Sequence, residues 1–167
     1  MPRLRPITHA MKRNSVPFLA AACAIACAAA PAPAVAAHRH DRVERSVIHR
    51  INFIRSAYGL PHVRPWSRLR HAAEEHSRDM ASANFFDHPS SDGTPFDVRV
   101  RRYVGSRSVG ETLAALSGGN RAARIVSMWM NSPPHRAILL EGRFRRIGVA
   151  RHRGGMGTLF TADFAGR

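Results

Sequence analysis

Two stretches in the first half of the chain place apolar residues three or four positions apart, which is the spacing of an amphipathic helix. The first predicted helix begins at Asp41, with Glu44 three residues later as in a capping box, and ends before Gly59 and Pro61. Its apolar stripe consists of Val43, Val47, Ile51, Ile54 and Tyr58. A second predicted helix begins after Ser67 as its N-cap. The residues expected on its inner side are Leu69, Ala72, Ala73, His76, Met80 and Ala83.

The helical pattern stops after this second helix. Residues 84–95 contain the turn signal Asp92-Gly93 and are predicted to form a loop. Residues 108–114 have the short, alternating apolar character of a strand or extended segment, and this segment carries Glu111. A third helix is predicted over residues 121–131, with Asn120 as its cap. Its inward residues are expected to be Ala122, Ile125, Met128 and Trp129.

Two consecutive prolines end the third helix and begin another. Neither Pro133 nor Pro134 fits a helix interior, but their fixed φ suits a first turn, so a short helix is predicted over residues 134–140. His135 then lies in its first turn, where the helix dipole disfavours the imidazolium. A neutral ring is what a metal ligand or proton acceptor requires. A histidine that merely caps a helix junction is the alternative, and these residues alone leave both open.

The C-terminal part of the chain predicts a hairpin. Residues 146–151 and 158–165 are expected to be strands, and Gly154-Gly155-Met156-Gly157 supplies the turn between them. Helices therefore come first and strands late. This order is typical of an α+β domain in which helices pack on a small antiparallel sheet.

The N-terminal segment has the character of a secretory signal. Four basic residues, Arg3, Arg5, Lys12 and Arg13, precede the apolar run at residues 16–30, and small residues follow up to Ala36. We expect cleavage near Ala36, a flexible lead over residues 37–40 and one domain over residues 41–167. A retained anchor is less favoured, because the run is short for a membrane span. Both cysteines lie inside this segment, so the domain has no disulfide and no thiol nucleophile.

The chain that remains after the predicted cleavage is strongly positive. Removal of residues 1–36 takes away four of the 26 basic residues and none of the 11 acidic ones, which leaves a net charge of +11 carried by arginine alone. In an exported protein this charge predicts attraction to anionic wall polymers or lipid head groups, with peripheral association. A solvated basic face without a partner is the alternative. The sequence contains no recognised nucleic-acid module, and a monomer is expected.

Three histidines in the first half of the domain are candidate ligands or catalytic groups. His71 and His76 flank two glutamates, but helical zinc-protease motifs need histidines four apart, and a separation of five turns the side chains roughly 140° from each other. We therefore expect a structural role for both, one exposed and one at the core edge. His88 follows the aromatic pair Phe85-Phe86, whose burial would place it at the lip of a pocket.

A series of short motifs runs through the domain in order. They are Asn52-Phe53-Ile54-Arg55, Gly59-Leu60, Trp66, Leu69, Ala72-Ala73, His76-Ser77, Asp79-Met80-Ala81, Phe86, His88, Gly110-Glu111-Thr112-Leu113-Ala114, Trp129-Met130-Asn131-Ser132-Pro133, His135-Arg136 and Ile147-Gly148-Val149. The set resembles the bacterial branch of the CAP superfamily, which takes in cysteine-rich secretory proteins, antigen 5 and plant pathogenesis-related protein 1. The family's module is also called the SCP domain. The resemblance covers residues 41–164.

The resemblance implies a three-layer α-β-α sandwich and a central cleft lined by two histidines and two acids. His88 and His135 match the two histidines, and Glu111 matches the acid of the family's Gly-Glu-Asn-Leu-Ala segment. This chain has Thr112 where asparagine is usual. It has no counterpart of the second acid, a departure that bacterial relatives commonly share.

The matched residues suggest several functions for the cleft. His88, Glu111 and His135 are the ligand set of an open site for Zn²⁺ or another divalent cation. They are also the candidate catalytic residues, but Glu111 cannot be both ligand and general base, so the sequence leaves catalysis open. The first hypothesis is an exported binding module that holds a divalent cation here and binds lipid or glycan, as CAP relatives do. The alternatives are a metal-dependent hydrolase of peptide or peptidoglycan bonds and a purely structural polar cleft.

Overall fold

A four-stranded sheet lies at the centre of the molecule, with helices on both faces. This computed structural model describes residues 41–118 and 122–166. The predicted signal segment, the lead at residues 37–40 and the predicted cap Asn120 lie outside the described residues. In chain order the elements are α1 (Arg42–Ala57), β1 (Arg64–Pro65), α2 (Ser67–Ala83), α3 (Phe96–Val104), β2 (Val109–Leu116), α4 (Ala122–Asn131), α5 (Pro133–Leu139), β3 (Phe144–Gly154) and β4 (Gly157–Gly166).

The start of α1 is the capping box that the sequence predicts. The Asp41 side chain accepts the Glu44 backbone N–H at 2.8 Å, and the Glu44 side chain accepts the Asp41 N–H at 2.8 Å. The start of α2 differs from the prediction, because Ser67 is its first helical residue and Trp66 is its N-cap. Trp66 continues the extended backbone of β1 and donates its N–H to the Ile147 carbonyl oxygen, so the helix can begin only after it.

Helix α3 is absent from the sequence prediction. It follows the predicted loop directly and presents a narrow apolar edge formed by Phe96, Val100 and Val104, of which only Val100 is fully buried. Between these positions stand three arginines. So narrow an apolar edge in nine residues gives little periodic signal, and it is packing against Leu69 and Ala165 that stabilises the helix.

Helices α4 and α5 are confirmed with small shifts. Both prolines lie in the first turn of α5, which therefore begins one residue earlier than predicted. In α4 the buried residues are Ala122, Ile125, Val126 and Trp129. The prediction that Met128 points inward is wrong, since it is 41% exposed. Positions 122, 125, 126 and 129 follow the ideal helical stripe, and residue 128 lies off it.

The sheet has the strand order β1-β3-β4-β2. Strands β3 and β4 form the predicted hairpin, β2 pairs antiparallel with β4, and β1 pairs parallel with β3. The predicted antiparallel sheet is confirmed for β2, β3 and β4, and β1 adds a parallel pair at one edge, so the whole sheet is mixed. The difference arises because the segment after α1 reaches β3 through two residues only, a pairing too short to leave a pattern in the sequence.

Alternation along β4 divides the core between the two helical layers. Phe160, Ala162 and Phe164 pack in the cluster that contains α1, α4 and α5. Leu159 and Ala165 pack in the smaller clusters with α2 and α3. This is the predicted three-layer α-β-α sandwich. Among the described residues, no helix is long and apolar enough to cross a membrane.

Arg55 joins α1 to the chain between α5 and β3. Its guanidinium is fully buried and donates to the carbonyl oxygens of Pro61 at 2.9 Å, Leu139 at 2.7 Å, Glu141 at 3.1 Å and Phe144 at 3.2 Å. Burial lowers its pKa. The residue belongs to an apolar helix face, and the sequence pattern gives no sign of this role.

Candidate functional site

The three predicted cleft residues lie close together. His88 is in the loop between α2 and α3, Glu111 is on β2 and His135 is in the first turn of α5. His88 Nδ1 lies 2.8 Å from Glu111 Oε1, and the ring centroids of His88 and His135 are 6.4 Å apart. Phe96 flanks the His88 ring at 5.9 Å between centroids. The fold therefore brings residues from three separate elements into one cleft.

Glu111 has a second partner, Arg99, which sequence reasoning missed. Arg99 Nη2 donates to Glu111 Oε2, and its Nη1 donates to the His88 carbonyl oxygen at 3.0 Å and to Ser90 Oγ at 2.9 Å. The Arg99 side chain is only 4% exposed and that of Glu111 is fully buried. One arginine on a helix that was itself missed could not be singled out from 21 in the domain.

These contacts shift the pKa values of the cleft in opposite directions. Burial raises the pKa of Glu111, but the His88 hydrogen bond and the Arg99 charge outweigh it and hold that pKa below its usual value. The hydrogen bond to Glu111 raises the pKa of His88. Burial, and then the nearby His88, lowers the pKa of His135. The neutral His135 expected from the sequence fits this direction, whereas His88 is biased toward its charged form.

A second carboxyl group lies behind Glu111. Asp163 stands opposite Glu111 in the β2–β4 ladder and is completely buried. Neither of its oxygens has a hydrogen-bond partner of normal geometry within the described part of the chain. Burial, and then the negative charge of Glu111, raises its pKa well above the usual value. The raised pKa disfavours the ionised form of this carboxyl group beneath the cleft.

His76 is the other buried polar group nearby. It is fully buried, deeper than the core edge that was expected, while His71 is exposed as expected. His76 Nε2 lies 2.9 Å from the Asp87 carbonyl oxygen. A carbonyl oxygen only accepts, so Nε2 carries the hydrogen and Nδ1 carries the lone pair. Burial lowers the pKa of this ring, which favours the same neutral form.

The predicted ligand set does not fit a three-ligand metal site as it is arranged here. Both oxygens of Glu111 and the Nδ1 of His88 are engaged, and the Arg99 guanidinium already neutralises the carboxylate. Within residues 41–118 and 122–166, no group of three or more His, Cys, Asp or Glu side chains is placed to hold a metal ion. Among the cleft atoms that the structure describes, His88 Nε2 and the His135 ring have no hydrogen bond, so they can exchange protons or form hydrogen bonds with a ligand.

A separate concave surface lies between α1 and α4. This α1–α4 groove has a volume of about 920 Å³, with Phe53, Ile54, Val126 and Met130 supplying its apolar wall. Its polar lining comprises Arg42, Arg45, Ser46, His49, Arg50 and Ser127, with Ala123 beside them. Phe53 is 73% exposed, which is unusual for a phenylalanine of a helix that otherwise packs on the core.

The comparisons of this chain with known proteins agree on one family. A family model described as the cysteine-rich secretory protein family (CAP) matches residues 48–164. The uncharacterized protein YkwD of Bacillus subtilis (strain 168) is 32% identical over 125 residues, which are 74% of this chain and 47% of that protein. The chain therefore spans about half the length of that relative.

Solved structures add two neighbours. An extracellular protein containing an SCP domain from Bacillus anthracis is 28% identical, with a TM-score of 0.65 over 75% of this chain and 40% of that one. An outer surface protein of Borrelia burgdorferi is 24% identical, with a TM-score of 0.68 over 78% of this chain and 98% of that one. The second likeness extends over nearly the whole neighbour and shows the fold.

Proposed function

Because the chain belongs to the cysteine-rich secretory protein (CAP) family, we propose that it is an exported binding module of the cell envelope that holds an anionic lipid or fatty acid in the α1–α4 groove. The observation that carries the proposal is the composition of this groove, an apolar wall with an arginine rim. Export is supported by the signal-like sequence of residues 1–36 and by the extracellular origin of the Bacillus anthracis relative.

The apolar wall suits an acyl chain. Val126 is almost fully buried, Ile54 and Met130 are half-buried, and Phe53 stands largely in solvent at the same surface. Covering such atoms with a hydrocarbon chain contributes roughly 25 cal/mol for each Å² of apolar surface removed from water. The groove volume lies within the range of about 300–1,000 Å³ that is usual for small-ligand sites. An adjoining hollow of about 460 Å³ shares Met130 and extends the apolar surface toward Leu140.

The rim suits an acidic head group. Arg42 and Arg50 are exposed at the groove, and neither has a salt bridge to a carboxylate among the described residues. A guanidinium binds a carboxylate or phosphate with two parallel hydrogen bonds, which fixes the head while the tail lies along the apolar wall. The groove residues include no acidic side chain. An anionic amphiphile is therefore favoured over a neutral or cationic one.

Competition between palmitate and a fluorescent fatty acid tests this proposal on the purified protein. Met130→Glu places a charge in the apolar wall, and we expect it to weaken binding at least about tenfold, equivalent to about 1.4 kcal/mol. Met128→Glu is the matched control, because Met128 is exposed on the same helix and does not line the groove. Equal affinity of Met130→Glu and the wild type would reject the groove as the lipid site.

A second pair of variants tests the arginine rim of the groove. Arg50→Glu should weaken palmitate binding and also reduce its dependence on salt, since a favourable head-group charge is lost. Arg124→Glu makes the same charge change on an exposed residue of α4 outside the groove. If both variants lose affinity equally, net charge rather than a seated head group accounts for binding.

The divalent cation predicted for His88, Glu111 and His135 is a separate proposal, and it requires Glu111 to exchange Arg99 for the ion. Elemental analysis of protein purified without chelator tests it. Zinc or another divalent metal near one equivalent, lost in both His88→Ala and His135→Ala, would support it. Metal-free wild type that still binds palmitate would reject it, and the cleft would then be the structural one that the fully paired Glu111 favours.

Hydrolysis is the remaining candidate, supported by the pairing of His88 with Glu111 beside a second histidine. Incubation with zinc and with peptide or cell-wall substrates tests it. Turnover that disappears in both His88→Ala and His135→Ala would add an activity to the binding role. Absence of turnover in protein that retains palmitate binding would count against a hydrolase.

A further inference from the structure

We infer that the outer edge of the central sheet is an interaction surface for a linear polymer that carries a negative charge on each repeated phosphate. This surface, here called the arginine edge, consists of Arg64 on β1, Arg68 in the first turn of α2, and Arg146 and Arg153 on β3. All four residues are exposed. None of them lines the α1–α4 groove, so the inference does not depend on the lipid proposal.

Two arginines of this edge stand side by side on neighbouring strands. Arg64 is the partner of Arg146 in the parallel pair of β1 and β3. Like charges at paired strand positions repel each other. The guanidinium carbon of Arg146 lies 5.9 Å from the centre of the Trp66 ring, a contact that favours one position for this side chain. Because neighbouring strands are about 4.8 Å apart, both guanidiniums can reach one phosphate, which would remove their repulsion.

Internal carboxylates do not neutralise the arginine edge. Within residues 41–118 and 122–166, none of its four arginines forms a salt bridge. Two neighbouring arginines differ in this respect. Arg70 pairs with Glu44 and Glu74, and Arg151 pairs with Asp41. The paired arginines connect helices and sheet, whereas the unpaired ones leave positive charge available to a partner.

The start of α2 adds positive potential at the same end of the sheet. Trp66 is its N-cap and supplies no side-chain cap, and the first turn contains no acidic residue. The N-terminal end of a helix carries a partial positive charge, which disfavours a basic side chain there. Arg68 therefore gains more from a nearby anion than an arginine at the opposite end of a helix would.

The shape of the arginine edge favours a linear partner. Arg146 and Arg153 lie on one strand, and the seven residues from one to the other span roughly 23 Å at about 3.3 Å per residue. A single phosphate reaches only one end of this row. A chain of phosphates reaches both ends, and the second contact forms at a high effective concentration once the first has formed. Each guanidinium can bind a phosphate through two parallel hydrogen bonds.

Two other partners fit this edge less well. Residues 64–68 and 144–157, which carry the edge, contain one exposed large apolar side chain, that of Met156. A protein surface that lies in a lipid bilayer combines its basic residues with several apolar ones. A second copy of the chain would place arginines against arginines, and charged residues on edge strands oppose such pairing.

Fluorescence anisotropy with labelled linear inorganic polyphosphate tests the inference on the purified protein. We expect Arg64→Gln/Arg146→Gln to weaken binding at least about tenfold. The same variant should reduce the dependence of the affinity on salt, since fewer phosphates are neutralised and fewer counterions are released. Arg153→Gln, at the other end of the edge, should weaken binding about threefold.

The matched control is Arg107→Gln/Arg124→Gln, which removes the same charge elsewhere. Arg107 precedes β2, the opposite edge strand, and Arg124 is on α4, and both are exposed. This variant should bind polyphosphate within about twofold of the wild type. Equal losses in the two double variants would show that net charge alone accounts for binding and would overturn the inference.

Two further arms distinguish the source of the phosphate. Inorganic phosphate should compete with polyphosphate only weakly, and equal potency per phosphate group would reject a polymer site. Vesicles of phosphatidylcholine and phosphatidylglycerol should not bind through this edge, and vesicle binding that depends on Arg64 and Arg146 would reassign it to a membrane. Met130→Glu, the groove variant, should lose palmitate and retain polyphosphate, which separates failure of one site from failure of the other.

Discussion

The two faces of the central sheet differ in the kind of interior they enclose. The face toward α1, α4 and α5 packs against one continuous apolar cluster that includes Ile51, Trp129 and Phe164. Within residues 41–118 and 122–166, the face toward α2 and α3 has two small apolar clusters, and along β4 the polar Thr161 and Asp163 stand between them. We call α1, α4 and α5 with the face they cover the apolar layer, and α2 and α3 with the other face the polar layer. The apolar layer contains the largest apolar cluster, and the polar layer holds the buried Arg99, Glu111 and Asp163 beside the cleft.

This difference also separates what each face offers a ligand. The apolar layer ends in a groove of helix side chains with an arginine rim, which favours an amphiphile. The surface of the polar layer presents the His88–Glu111–Arg99 cluster, which favours a ligand that forms hydrogen bonds. One small domain thus presents two chemically distinct surfaces, and each can be altered without the other.

Truncation of a buried side chain in the apolar layer should lower the free energy of unfolding the most. Trp129→Ala removes a fully buried indole and its 2.8 Å hydrogen bond to the Leu113 carbonyl oxygen. We expect the free energy of unfolding to fall by about 4 kcal/mol, as for other buried aromatic residues. Chemical denaturation monitored by circular dichroism measures it. A loss below about 1 kcal/mol would show that this layer is not the main source of stability.

Removal of one charge from the polar layer should lower the free energy of unfolding nearly as much, because it leaves a buried carboxylate without its counter-charge. Arg99→Leu leaves Glu111 buried beside Asp163 without its guanidinium, and we expect a loss of about 3 kcal/mol at neutral pH. The double variant Arg99→Leu/Glu111→Gln removes the uncompensated charge and should recover much of that loss. Denaturation of the two variants side by side checks this. If the double variant is no more stable than the single one, lost packing rather than charge explains the effect.

The contribution of Asp163 to the free energy of unfolding should depend on pH, because the pKa of this buried acid is raised. Asp163 has a folded-state pKa raised above its usual value of 3.8, so the folded protein binds this proton more tightly than the unfolded chain does. The wild type therefore loses stability through this group as the pH rises from about 3.8 through the folded-state pKa. Asp163→Asn cannot ionise, so its stability relative to the wild type should increase with pH. Urea denaturation across a pH series measures the difference in the free energy of unfolding between the variant and the wild type. A difference that stays constant with pH would contradict the raised pKa of Asp163.

The smallest effect is expected at the residue next to Trp129. Met128→Ala truncates a side chain that is largely outside the core, and its free energy of unfolding should stay within about 0.5 kcal/mol of the wild type. Thermal or urea denaturation with the Trp129→Ala sample as the reference measures this. A loss above about 1.5 kcal/mol would show that α4 also packs on its outer side.

The sequence predicted the apolar layer far better than the polar one. The capping box of α1, the proline start of α5 and the glycine turn of the hairpin each depend on neighbouring residues, so local rules suffice for them. Val126 rather than Met128 points inward because positions 122, 125, 126 and 129 share one helical stripe, which strict use of the helical period would have given. Such errors are small and remain within one element.

The polar layer depends on contacts between distant segments, which no local pattern records. The proximity of His88, Glu111 and His135 followed from family resemblance, and periodicity alone did not indicate it. Arg99 and Asp163 were missed because an arginine in a short helix and an aspartate in a strand look like surface residues until the fold buries both. Arg55 was missed for the same reason, since its partners are backbone carbonyl groups from three later segments.

The position of Arg55 relates the two surfaces to each other. The helix it belongs to borders the groove, and the carbonyl groups it binds include that of Leu139, at the end of the helix that carries His135. Arg55 therefore links the backbone of α1, which lines the groove, to the end of the helix whose first turn contributes His135 to the cleft.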